Sequence, residues 1–210
     1  MYKPFREGLV DLERFSSPVD VVIAAAKLFS PSQIWDAPRV FDDGSRNGVA
    51  QPSLLEDRYQ KELYRCLTLV WPGVLISPEF IIPPRKSSTS AHQGTVDFYL
   101  NLAPKREGWT IEFLRDSDRV EAHLERFVAN GRYEAITRDS IKETRIVVNF
   151  TFKQVTLARP GWQNRLYYVV FGNRHETVNI LNADLSHKFS RGLIENHAET
   201  VFLRPAWCRR

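Results

Sequence analysis

Apolar side chains return at helical spacing along residues 54–71, LLEDRYQKELYRCLTLVW, at Leu55, Tyr59, Leu63, Cys66, Leu67 and Val70. That period marks an amphipathic helix, and Pro72-Gly73 stops it. An earlier apolar stretch, VDVVIAAAKLF, predicts another helix, with Ser17 or Asp20 as its cap. Shorter runs follow the first helix named. VLISPEFII carries a proline, so it reads as an edge or bulged strand. TVDFYLNL and WTIEFLR flank the turn-forming APKREG and read as a hairpin. SDRVEAHLERFVANGRYEAI predicts a second amphipathic helix with Ser117 or Asp118 at its start. TRIVVNFTF, LYYVVFG and ETVNILN are rich in β-branched and aromatic residues and predict three more strands. The tail from Asp184 is expected to form a short helix and a final extended piece.

The resulting order is helix, three strands, helix, further strands. A helix between strands permits a parallel crossover, so the expected fold is α/β with a mixed sheet. Crossover helices are too few for a doubly wound sheet. The stretch DAPRVFDDGSRNGVAQPS collects Pro, Gly, Asn and Asp and is the best linker candidate. It divides the chain into an N-terminal helical segment, 1–52, and a main domain, 53–210.

Composition changes this picture little. A chain of 210 residues with 43% hydrophobic and 26% charged residues can build one sizeable core. The formal charge of +4 leans toward polyanionic partners without naming one. Cys66 and Cys208 are distant in sequence and make neither a disulfide framework nor a zinc site. The five histidines lack the HxxxH and HExxH spacings, and no GxxxxGK[ST] phosphate loop occurs. No run reaches the length of a membrane span, and nothing resembles a signal peptide, so an intracellular protein with no membrane partner is expected.

The chemistry worth weighing lies in the hairpin. Asp97 interrupts one apolar strand and Glu112 the next. Strand alternation groups Thr95, Asp97 and Tyr99 on one face, and Thr110, Glu112 and Leu114 on one face of the other strand. Pairing would bring the two carboxylates together, where they repel unless a proton or cation intervenes. A divalent ion answers this at neutral pH, and an oxygen-rich set favours Mg2+ or Mn2+. The alternative is that each acid pairs with Lys105, Arg106 or Arg115.

An acid in one strand, a turn, an acid in the next, all after a glutamate-bearing helix, resembles the PD-(D/E)XK nuclease core. The segments YQKELYRCL, GTVDFYL and WTIEFLRDSDRVEAHLERF are similar to the restriction endonuclease-like domain of Crinkler-type effector proteins, over about residues 55–181. The resemblance implies a restriction endonuclease-like core, α-β-β-β-α-β plus extra strands. It implies Asp97 and Glu112 as metal ligands and Glu62 as the helix acid near a metal-bound water, with Glu56 its competitor and Glu79 a further strand acid. Nucleic acid, DNA ahead of RNA, would be the substrate, and the nucleus of a host cell is the compartment such effectors suggest.

One departure stands out. The motif lysine expected two residues after Glu112 is replaced by Leu114. Arg115 follows, but alternation turns it to the opposite face. Arg115, His123, Arg126, Arg65 and Lys61 are the candidates for the displaced cation. The missing lysine equally fits a domain that binds nucleic acid or a host protein without cutting.

Overall fold

The computed structural model describes residues 11–35, 40–41, 52–53, 56–82, 94–102, 108–116, 119–128, 132–133, 144–172 and 176–193. Its helices are α1 (Pro18–Ala26), α2 (Pro31–Trp35), α3 (Glu56–Val70) and α4 (Val120–Glu125). Strands β1 (Val40–Phe41) and β2 (Pro52–Ser53) form a small antiparallel pair. The main sheet is made of β3 (Leu75–Ile81), β4 (Thr95–Asn101), β5 (Gly108–Arg115), β6 (Arg145–Thr151), β7 (Leu166–Gly172), β8 (Thr177–Asn182) and β9 (His187–Gly192). The seven strands lie side by side in chain order. The steps β5–β6 and β6–β7 are parallel and the other four antiparallel. The expected mixed sheet is therefore present, with α4 in the crossover between β5 and β6.

β6 explains the layering. All seven of its residues are buried, as a strand covered on both faces must be. Ile146, Val148 and Phe150 join the core beneath α1 and α3, while Val147 joins a second core with Val120 and Leu124 of α4. The first core is stitched by rings: Phe113 stacks on Phe150 at 4.5 Å, and Phe29 stacks on Phe150 at 5.8 Å.

Three expectations need correction. The N-terminal segment is no separate unit: Val21, Val22, Ala25, Ala26, Phe29 and Ile34 are all buried in the core that α3, β5 and β6 share. A linker-like composition after α2 does not set the core-forming residues before it apart from those of α3, β5 and β6. α4 is only six residues long, starting after Arg119 without a side-chain cap. Tyr133 beyond it folds back, its N–H donating to the Arg126 carbonyl at 2.8 Å. Part of the expected tail helix is the strand β9, whose polar, exposed side chains suit a sheet edge. The expected edge strand β3, with Pro78 within it, does lie at the other border.

Deleting residues 1–35 should abolish the cooperative urea transition, because it uncovers the face of α3, β5 and β6 that α1 and α2 bury. A truncated chain that still unfolds cooperatively, followed by tryptophan fluorescence, would restore the boundary near Ser53.

Candidate active site between β4 and β5

β4 and β5 pair from Asn101↔Gly108 to Phe98↔Ile111, and there the ladder stops. Continued by one step, it would set Asp97 opposite Glu112. Instead the Asp97 carboxylate enters the seam: its Oδ2 accepts the Phe113 N–H at 2.6 Å. A side chain reaches a neighbouring strand's N–H only where no backbone carbonyl has taken it. The strand also turns at this point. Phe98 packs into the core under α3, whereas Val96, two residues away, packs with the core under α4. The expected sharing of one face by Thr95, Asp97 and Tyr99 therefore breaks down at Asp97.

Asp97 is steadied from α3, where Gln60 Nε2 donates to Oδ1 at 3.3 Å. Gln60 was not foreseen. Its role depends on which side of α3 faces β4, and its own residue type carries no catalytic signal. The same geometry places Glu62 elsewhere. Two residues along a helix turn the side chain by about 200°, so α3 offers Gln60 to Asp97 and Glu62 to the opposite side. Glu62 is 4% exposed. Its Oε1 accepts the Ser30 N–H at 2.8 Å, and Arg65 Nε donates to its Oε2 at 2.7 Å. Arg65 also donates to the Leu28 carbonyl at 2.9 Å. Glu62 and Arg65 thus latch the α1–α2 corner to α3. Their placement is structural, in place of the expected position beside a metal-bound water. The side chain of Glu56 lies outside the described residues. Glu79 falls across from Asp97 in the β3–β4 register, but its φ of 49° takes it out of the ladder and it is exposed.

Glu112 is held from the α4 side and is 2% exposed. Its Oε1 lies 2.8 Å from His123 Nδ1, receives Arg126 Nη1, and stands 3.2 Å from the Tyr133 hydroxyl. Arg126 Nη2 stands 3.3 Å from His123 Nε2. One tautomer makes both histidine contacts hydrogen bonds: Nδ1 carries the proton toward Glu112, and Nε2 accepts from the guanidinium. Tyr133 has a single proton, and the Thr95 carbonyl at 2.5 Å takes it. Burial first, then the charge of Glu112, pushes the Tyr133 hydroxyl above its ordinary pKa, so it remains a donor. Tyr133 therefore ties the start of β4 to the site. Sequence pattern had only His123 and Arg126 to offer from this cluster.

The other carboxylate oxygen, Glu112 Oε2, is buried and has no hydrogen-bond partner among the described residues. A charged oxygen left so is rare and costly, of order 1–3 kcal/mol or more. Leu114, at the position of the motif lysine, is 4% exposed and packs with Val120 and Leu124. Arg115 takes the opposite side, where its charge acts on Tyr59 of α3. Among the described residues no group of three or more His, Cys, Asp and Glu side chains converges. None of their helices is long and apolar enough to cross a membrane. Residues 83–93, including Arg85 and Lys86, fall outside the described set.

At the start of α4, Arg159 Nε donates to Glu121, and its Nη1 donates to the Tyr168 hydroxyl at 2.7 Å. The Arg159 hydrogen bond holds the Glu121 carboxyl below its ordinary pKa. This clamp braces α4 against β7, and so braces the helix that carries His123.

No family model matches the chain, and no match was found among the curated proteins or the solved structures.

Replacing Glu62 by Gln should lower the urea midpoint, because a neutral amide cannot serve both Arg65 and Ser30 as the carboxylate does. An unchanged midpoint would show that this latch contributes nothing to stability. The Glu121–Arg159 clamp is present above the ordinary glutamate pKa and is lost as pH falls through the depressed one. Glu121→Gln should therefore flatten the acid limb of the stability–pH curve. An unchanged acid limb would show that the clamp contributes nothing.

Proposed function

We propose that the chain is a divalent-metal-dependent nuclease domain of the PD-(D/E)XK, restriction endonuclease-like class, similar to those of Crinkler-type effectors. The observation that carries this reading is Glu112 Oε2, a buried carboxylate oxygen with no hydrogen-bond partner among the described residues, one strand from Asp97. The observed order α3-β3-β4-β5-α4-β6, with β6 parallel to β5, supports it as the α-β-β-β-α-β plan that such a core would need.

The residues fit a hard cation. Mg2+ and Mn2+ commonly rest on one or two carboxylates and keep waters for the remaining positions. Glu112 through Oε2, with the Asp97 carboxylate on the neighbouring strand, would hold the ion. When bound, it would lower the pKa of a water and stabilise charge on phosphoryl oxygens. The chain's own groups prepare that place. Phe113 N–H and Gln60 orient Asp97. Arg126 and His123 fix Glu112 Oε1, so Oε2 is the oxygen left to bind. Arg126 would also supply the cation that a phosphodiester anion beside Glu112 needs, the task that Leu114 cannot perform, with His123 orienting the guanidinium through Nε2. Arg126 and His123, rather than Arg115, serve this role. DNA is the preferred substrate, and a host nucleus the compartment in which an effector of this kind would act.

A second reading is favoured by one specific observation: Arg126 pairs its charge with Glu112, and His123 hydrogen-bonds the same oxygen. A domain so neutralised would bind nucleic acid or a host protein through basic surfaces and leave it intact.

Plasmid nicking in Mg2+ or Mn2+ tests the first reading. Asp97→Ala and Glu112→Ala should each reduce the rate by at least about 100-fold, a loss of roughly 3 kcal/mol of transition-state stabilisation. Equal nicking in chelator sinks it. Salt-sensitive DNA binding that survives both substitutions, without nicking, supports the second.

A further inference from the structure

Glu112 Oε2 is not the only buried oxygen of β5 without a hydrogen-bond partner among the described residues. Thr110 Oγ1 is another, on a side chain 3% exposed, and the site described so far makes no use of it. β5 runs without a slip against β6 from Thr110↔Arg145 to Arg115↔Phe150, so its side chains alternate regularly between the two faces. Ile111 and Phe113 enter the core under α1 and α3. Thr110 and Glu112 therefore share the other face, where Glu112 meets His123 of α4. Two residues along a strand lie roughly 6.6 Å apart, and no side chain of β5 stands between these two.

A buried hydroxyl normally rotates to any partner in reach, and the polar neighbours of Thr110 do not take it. Tyr99 is its partner in the β4–β5 register, but the hydroxyl end of Tyr99 lies over Gly108, on the side away from Glu112, so close that a Cβ there would collide with it. Arg145 stands opposite on β6, and Thr110 Oγ1 still has no hydrogen bond. Nor does the hydroxyl bond Glu112, whose Oε1 receives the α4 donors while Oε2 receives none. Two orphaned oxygens at successive positions of one strand face, one charged and one neutral, suit a hard cation, which binds through oxygens of both kinds. Threonine hydroxyls serve Mg2+ in this way in phosphate-binding loops. We infer that Thr110 is a further residue of the proposed cation site, its hydroxyl the neutral oxygen that joins Glu112 Oε2 around the ion. The inference rests on the metal-dependent reading for the identity of the ion, but its test needs no cleavage.

Thr110→Val keeps the branched shape and removes the hydroxyl. In chelator, the urea midpoint of this variant of the full chain should equal or exceed that of the wild type, because an unpartnered buried hydroxyl does not stabilise the metal-free fold. In Mn2+ titrations followed by calorimetry, the same variant should bind about 10- to 100-fold more weakly than the wild type. Thr110→Ser retains a hydroxyl and should bind Mn2+ as the wild type does. A valine variant with wild-type Mn2+ affinity overturns the inference, since the hydroxyl would then hold water alone. A serine variant as weak as the valine one overturns it too, as does a lowered midpoint in chelator, which would assign the hydroxyl a structural partner. A wild type that binds no Mn2+ overturns both this inference and the nuclease reading. Binding of Mn2+ that depends on Thr110, in a protein that never nicks DNA, ends the nuclease reading and leaves the cation site standing.

Discussion

A buried carboxylate at position 112 governs how this half of the molecule is built. An ionised glutamate at 2% exposure is costly unless donors surround it. The chain supplies them from α4 and the residue that follows it, His123 and Arg126 one turn apart, while Tyr133 folds back beside them and donates to the Thr95 carbonyl. α4 is too short to be stable alone. Its position comes from Val120, Leu124 and Phe127 in the core below and from the Arg159 clamp beside it. The helix is held where the charge needs it.

The opposite face follows a different logic. Where Glu112 is enclosed, Asp97 is inserted: its carboxylate replaces a rung of the sheet at Phe113 and is met by Gln60. Parting two strands forfeits ladder hydrogen bonds, and one side chain takes over the freed donor. The two acids thus sit on neighbouring strands at one level, served by helices on opposite faces of the sheet. This is a sounder description than a simple pair of facing carboxylates.

Most strands were legible because their apolar, β-branched runs obey a period set by the backbone. The parallel step between β5 and β6 followed from the helical pattern that separates them. The shortness of α4 was hidden, since residues 126–136 keep helical spacing while Tyr133 is drawn back by Glu112 and the Thr95 carbonyl. β9 was missed because an exposed edge strand lacks an apolar period. Asp97 and Glu112 were visible as acids inside apolar runs. Gln60 and Tyr133 were not, since polarity at those positions is ordinary until β4 and β5 stand beside them. Glu62 misled because its buried charge serves the Ser30 corner, a partner distant in sequence.

The burial of α1 against β5 and β6 has a consequence for synthesis of the chain. Val21, Val22, Ala25 and Ala26 emerge from the ribosome long before Gly108–Arg115 and Arg145–Thr151 exist to cover them. Until then this greasy stripe is open to solvent and to other nascent chains, a hazard during translation. Protection by a chaperone, or slow completion of the core late in biogenesis, would be the natural cost of a helix whose partners arrive last.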